Sequence, residues 1–297
     1  MKNLMLTSIV IVLMSTITYA SEYIVDPNES LGDYSTIQTA IIASSDGDTI
    51  TVNPGTYTEN INMMNKAITL QSTEPTNPTV VLATIIEGNG ESSIVCTSGE
   101  DSNTLITGFL ITKSNSADWG GGICNFSSSP TVTNCTFSGN SATYLGGGIL
   151  NADSSPTVTN CTFSGNSAGW SGGGMYNAHS LLTDSMFNGD SATYSGEIYN
   201  YTPLTTVSGC TFSGNSATVS GGGIYNDSSP SLTLTNSYLC LNTLDAIGGD
   251  GYTNGGGNNL QFCPPPKSIV EGDLTDDNKV DFEDFAILAA NWLEGTE

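Results

Sequence analysis

The chain reads as an all-β protein, a single-stranded parallel β-helix with a helical cap at its N-terminal end and a small acidic loop-helix at its C-terminal end. Three observations predict this. The phrase Cys-Thr-Phe-Ser-Gly-Asn occurs at 135–140, 161–166 and 210–215, with a degenerate copy, Met186-Phe-Asn-Gly-Asp190, between the last two. A glycine phrase alternates with it: Gly120-Gly-Gly-Ile-Cys-Asn125, Gly146-Gly-Gly-Ile-Leu-Asn151, Gly172-Gly-Gly-Met-Tyr-Asn177, Ser195-Gly-Glu-Ile-Tyr-Asn200 and Gly221-Gly-Gly-Ile-Tyr-Asn226. Its closing Asn recurs at steps of 26, 26, 23 and 26 residues. Between the phrases lie short apolar runs and turn residues, including many of the 34 glycines, with no helical periodicity. A period near 25 of this composition winds a chain into stacked coils, each strand pairing with its copy in the next winding.

The first element is a targeting segment, residues 1–20. Lys2 gives a positive start, Leu4 to Ile17 is apolar, and Thr18-Tyr19-Ala20 offers a small-residue cleavage site. The apolar run falls short of the roughly 20 residues that span a bilayer. The expectation is export by a bacterial signal peptide, to the extracellular space or the cell surface, with no transmembrane segment.

Residues 21–262 form the β-helix. Ser35 to Ala43 has helical spacing of its apolar residues and stands where the open end of the coil needs covering. Asp46 to Glu59 reads as a strand, a Pro-Gly turn and a second strand; 67–70, 84–86, 93–96 and 105–111 read as further short strands. The regular repeats fill about 115–240, and the Gly- and Asn-rich stretch 253–262 closes the coil. Residues 60–260 then make on the order of eight windings, a rod close to 40 Å long.

Within a repeat, Phe fills the interior and Gly permits the bend. Asn115, Asn140, Asn166, Asp190 and Asn215 recur at steps of 25, 26, 24 and 25, which predicts a hydrogen-bonded amide ladder interrupted at Asp190, a weak winding. Cys135, Cys161 and Cys210 share one slot and are expected to stack as small buried residues rather than to form disulfides. Cys240 and Cys263 flank the end of the repeats and are candidates to close a loop, although connectivity does not follow from sequence.

The alternation of Phe-x-x-Asn (137–140, 163–166, 212–215) with Gly-Gly-Gly-Ile (120–123, 146–149, 221–224) resembles the repeats of polymorphic outer-membrane proteins. Thr36-Ile-Gln-Thr-Ala-Ile41 and Pro54-Gly-Thr-Tyr57 look like the start of right-handed β-helix proteins of the pectin-lyase-like superfamily. These resemblances cover 23 to about 262 and imply a right-handed coil. The first family also implies a translocating barrel after the coil; nothing in this sequence supplies one, so autotransport is not expected.

Cys263-Pro-Pro-Pro266 opens a stiff linker, 263–271. In 272–297, with Asp273 as position 1, oxygen donors fall at 3 (Thr275), 5 (Asp277), 9 (Asp281) and 12 (Asp284), and the Lys279 carbonyl falls at 7. That is the spacing of an EF-hand-like calcium loop, whose hard cation takes six to eight oxygens. Asn278 stands where Gly is usual, and Asn is the next residue to tolerate a left-handed turn. Phe282, Phe285, Leu288, Ala289 and Trp292 share a face of the helix that follows. The segment resembles one half of a dockerin, which implies calcium as cofactor and a cohesin-like protein as a possible partner. Dockerins carry two such repeats and this sequence has one, so the resemblance covers half of that module.

Charge narrows the partners. The net charge is −24, with 29 acidic residues, five Lys and no Arg, so nucleic acid is excluded as a partner and acidic polysaccharide would be repelled unless metal bridged it. Polysaccharide lyases of the resembled superfamily would imply a basic proton abstractor, and Lys113 is the sole Lys of the regular coils. Two carboxylates alone can hydrolyse a glycosidic bond; Asp153, Asp184, Glu197 and Asp227 are candidates, each in what reads as a turn. The sole His, His179, has no nucleophile turn around it. Trp119, Tyr144, Trp170 and Tyr194 each stand just before the glycine phrase, at steps of 25, 26 and 24. If they face outward they form a strip for stacking on the sugars of a polysaccharide or cell-surface glycan; the rival reading is a packing column. The first expectation is therefore an exported, non-catalytic scaffold that contacts carbohydrate or adheres. The alternative is a polysaccharide lyase or glycosidase on the same fold.

Overall fold

Each winding is assembled from tripeptides with an apolar centre, such as Thr131-Val-Thr133 and Thr136-Phe-Ser138. Side chains alternate across a strand, so Val132 and Phe137 turn inward and are fully buried while their neighbours stay partly exposed. In Ile123-Cys-Asn125 the parity reverses, and Ile123 and Asn125 face inward. Stacking these triplets produces a right-handed parallel β-solenoid of about eight windings in a computed structural model that describes residues 20–28, 31–116, 118–177, 180–201, 205–227 and 232–260. The expected signal segment up to residue 19, His179, the linker and the calcium loop lie outside the described residues.

A regular winding visits four sheets in turn, all with parallel pairing. A ten-stranded sheet carries the Thr-Val-Thr triplets, an eight-stranded sheet the Thr-Phe-Ser triplets, a five-stranded sheet the Ser-Ala pairs, and a second eight-stranded sheet the triplets that end in Asn. Parallel strands joined this way cross over with one hand. The register is that of the repeat: Phe137 faces Phe163, Phe163 faces Phe187, and Phe187 faces Phe212. Their rings stack at centroid separations of 4.6, 4.7 and 4.8 Å, within 15° of parallel. Each such pair contributes about 0.5–1.5 kcal/mol beyond its burial.

The amide ladder runs beside the phenylalanines. Asn140 and Asn166 each donate from Nδ2 to a backbone carbonyl of the preceding winding, Ile111 at 3.0 Å and Phe137 at 3.1 Å. Asn215 does the same to Phe187 and Asn242 to Phe212. The sequence placed Asn115 in this column, which is incorrect. Asn115 pairs with Ser141 and is exposed, and Ser114 holds the slot, its N–H donating to Asn140 Oδ1 at 3.2 Å. A step of 25 where the register needs 26 caused the error. A second buried ladder runs through the closing residue of the glycine phrase: Asn125 donates to Asn151 (2.8 Å), Asn151 to Asn177 (3.1 Å) and Asn200 to Asn226 (2.8 Å).

The triple glycine has three separate causes. The first glycine has positive φ, +62° at Gly120 and +66° at Gly146. A Cβ on the second would strike the backbone of the next winding, as Gly121 would meet the Gly147 carbonyl. A Cβ on the third would press on a phenylalanine ring, 2.9 Å from Phe137 Cδ1 at Gly122 and 2.8 Å from Phe163 Cδ1 at Gly148.

At the N-terminal end the expected helix spans Ile37–Ala43, with Ile37, Ala40 and Ile41 buried. Thr36 caps it, Glu59 accepts from the Ile37 and Gln38 amides (2.8 and 3.0 Å), and Lys66 Nζ donates to the Ile41, Ile42 and Ser44 carbonyls. A carboxylate at the start and an ammonium at the end both oppose the helix dipole. A second helix, Pro78–Ala83, was not anticipated; Asn77 as N-cap with Pro78 at the first turn was its signal. Cys96, Cys124, Cys135, Cys161 and Cys210 are free thiols, as the stacking reading requires of the last three, whereas Cys240 is disulfide-bonded.

Candidate functional site

The edge where the five-stranded sheet runs into the bend before the Asn-bearing sheet presents the aromatics singled out by sequence, Trp170 and Tyr194 within strands Ser167–Ser171 and Ser191–Tyr194. Trp119, Tyr144, Trp170 and Tyr194 are exposed by 45, 37, 62 and 41%. They do not form one column. Trp119 is in register with Leu145, Leu145 with Ser171, and Ser171 with Tyr194, whereas Tyr144 lies beside Trp170, whose N–H it accepts at 2.9 Å. Trp119 falls one residue out of step with Tyr144, and a bulge between Ala168 and Ser171 sets Ser171 rather than Trp170 beside Tyr194, so the four rings occupy two adjacent rows.

Ring geometry separates them from the other aromatics. Tyr176, Tyr199 and Tyr225 lie face to face at 5.3 and 5.2 Å, within 12° of parallel, so each covers its neighbour's face. That ladder is packing. Tyr199 also donates to Asp227 Oδ2 at 2.9 Å. Burial pushes the Tyr176 phenol up to about 12, with help from Tyr201 and Asp227, so it stays neutral at physiological pH. The four bend aromatics instead meet their neighbours tilted or edge-on: Trp119 with Phe126 at 43°, Tyr144 with Trp170 at 76°, Tyr194 with Tyr225 at 68°. Tilted and edge-on contact leaves ring faces uncovered by a neighbouring ring. Trp119, Phe126, Leu145, Leu150, Ala152 and Tyr176 surround a hollow of about 190 Å³. Sequence reasoning missed Phe126 and Leu145. Phe126 follows an inward Asn125, so strand alternation alone would have placed it outside.

The acidic candidates do not converge. Asp153 and Asp184 take positive φ at exposed turns, and Asp227 is also exposed. Asp184 follows the ten-stranded sheet while Asp153 and Asp227 follow the Asn-bearing sheet, at a different corner of the coil. Glu197 is not in a turn at the surface, contrary to the sequence reading; it takes the place of a third glycine and is fully buried. Both coil lysines have structural partners. Lys113 pairs with Glu87 at 2.6 Å, and Lys66 holds the helix end. Among the described residues no group of three or more His, Cys, Asp or Glu could hold a metal ion. Burial pushes the Cys135 and Cys210 thiols up to about 12, leaving them protonated and unreactive at neutral pH.

With this geometry in view, the Chlamydia polymorphic membrane protein repeat matches residues 134–152 and 209–227. Each match runs from the Phe-bearing strand through the glycine phrase. No curated protein matches the chain. Among solved structures, the pectin methylesterase from Aspergillus niger in penultimately deglycosylated form is 14% identical, with a TM-score of 0.46, covering 80% of this chain and 85% of that one. The same enzyme in deglycosylated form is 12% identical, with a TM-score of 0.41, covering 82% and 90%. Among the described residues no helix is long and apolar enough to cross a membrane.

Proposed function

We propose that the protein is an exported, non-catalytic β-helix that presents Trp119, Tyr144, Trp170 and Tyr194 to a polysaccharide or cell-surface glycan. The observation that carries this is the contrast between uncovered rings at the bend and the self-stacked tyrosine ladder. Sugar rings stack on aromatic faces, and the tilted and edge-on rings of the bend present such faces where the tyrosine ladder covers its own. The net charge of −24 favours a neutral glycan. The matched repeats, named for a membrane protein family, support an address at the cell surface. Helix Ile37–Ala43 closes the N-terminal end of the coil. The experiment is a glycan array probed with the wild type, Trp119→Ala and Trp170→Ala. Binding lost in the variants supports the reading and unchanged binding defeats it. Release of reducing ends or unsaturated products would favour the enzymatic alternative instead.

Residues 272–297 carry a separate proposal, calcium held by Asp273, Thr275, Asp277, the Lys279 carbonyl, Asp281 and Asp284. Donor spacing supports it. Calorimetry with calcium should give heat for the wild type and far less for Asp273→Ala; equal heats would remove it.

A further inference from the structure

The winding of residues 186–200 departs from its neighbours at two inward positions at once. Asp190 replaces the ladder asparagine and Glu197 replaces the third glycine of the glycine phrase. Both are fully buried. The Glu197 carboxyl fills the space over Gly174, where a Cβ would collide with it. Asp190 Oδ1 accepts from the Asn166 amide N–H (2.6 Å) and from Asn166 Nδ2 (2.8 Å). Asp190 Oδ2 and both Glu197 oxygens have no partner.

Two ionised carboxylates are acceptors only and cannot hydrogen-bond to each other. Burying two like charges together, without a cation, would cost far more than a coil can tolerate. Among the described residues no cationic side chain acts on the pair: the preceding winding offers Asn166 and Gly174, and the following one Asn215 and Gly223. The other titratable side chain acting on Glu197 is Cys210, whose thiol is protonated at neutral pH and brings no positive charge. A proton between Asp190 Oδ2 and one Glu197 oxygen is the smallest species that pairs two of the three orphaned oxygens and removes one of the two charges.

We propose that Asp190 and Glu197 share a proton inside the solenoid, which makes this winding a pH-sensitive lock. The strand between them, Ser191–Tyr194, carries one of the exposed bend aromatics, so release of the lock loosens the face at Tyr194. Burial, and then the neighbouring Asp190, raises the Glu197 carboxyl well above its usual range; burial likewise raises Asp190. The sign follows. Acids with raised folded values bind more protons folded than unfolded, so their winding is most stable below the ordinary carboxylate range and loses stability as pH rises through the folded values.

The test is thermal unfolding of the intact protein from about pH 5 to about pH 9, alongside Asp190→Asn and Glu197→Gln. The net charge also disfavours the fold as pH rises, so the difference between wild type and variants is the readout. The wild-type midpoint should fall by roughly 3 °C or more beyond that of either variant. Parallel profiles for all three proteins would overturn the proposal, as would a midpoint restored at high pH by sodium or calcium in the wild type but not in either variant, which would make the occupant of this site a metal ion. Should the variants fail to fold, carbon-13 NMR of wild-type carboxyls decides. One aspartate or glutamate should remain protonated above the ordinary range, and a full set of ordinary titrations would refute it.

Discussion

Phe163 illustrates how one side chain is fixed by two neighbours. Its ring lies 4.6 Å from Phe137 and 4.7 Å from Phe187, and Gly148 leaves room for its edge. Truncation opens a cavity bounded by rings that cannot collapse along the axis, because the strands hold their spacing. Phe163→Ala should therefore cost about 3–5 kcal/mol, read as a lower denaturant midpoint; a loss under about 1 kcal/mol would contradict the stacked core. This much was legible in the sequence, since the Phe-x-x-Asn phrase repeats with the period of the winding. The partnership of Asp190 and Glu197 was not. They are seven positions apart in different phrases, and only the fold reveals that both point inward.

At the level of elements, sequence reading succeeded where alternation and turn residues coincided and failed where spacing slipped by a residue. The strands at 49–52, 55–58 and 94–96 fell where apolar alternation placed them. The misplaced Asn115 and the misplaced Trp119 each arose from a one-residue slip against the local register, and the place of Tyr194 was lost to a bulge between Ala168 and Ser171. One residue of slip exchanges inward and outward positions along a whole strand. The helix at 37–43 was recognisable from its periodicity, but its two charged anchors come from residues 59 and 66, beyond any local pattern. Lys66→Met removes the cation from the helix end and leaves three carbonyls without that donor. The expected loss is about 1–2 kcal/mol, with faster amide exchange confined to the first windings. Unchanged exchange there would show that the helix end is held without this contact.

On the scale of the whole molecule, in-register windings fill the interior with packing and ladders, apart from the carboxyl pair of one winding, so ligand contact is left to the outer faces. Outward aromatics divide by geometry into a self-stacked ladder and two adjacent rows of tilted and edge-on rings, a distinction invisible to residue type alone. The most direct test is intrinsic tryptophan fluorescence of the intact protein titrated with a soluble neutral β-glucan. The wild type should show a saturable spectral change, Tyr199→Ala should retain it, and Trp170→Ala should bind roughly tenfold or more weakly. Loss of binding on removing Tyr199 but not Trp170, or no spectral change in the wild type, would contradict the assignment of the bend as the glycan-contacting face.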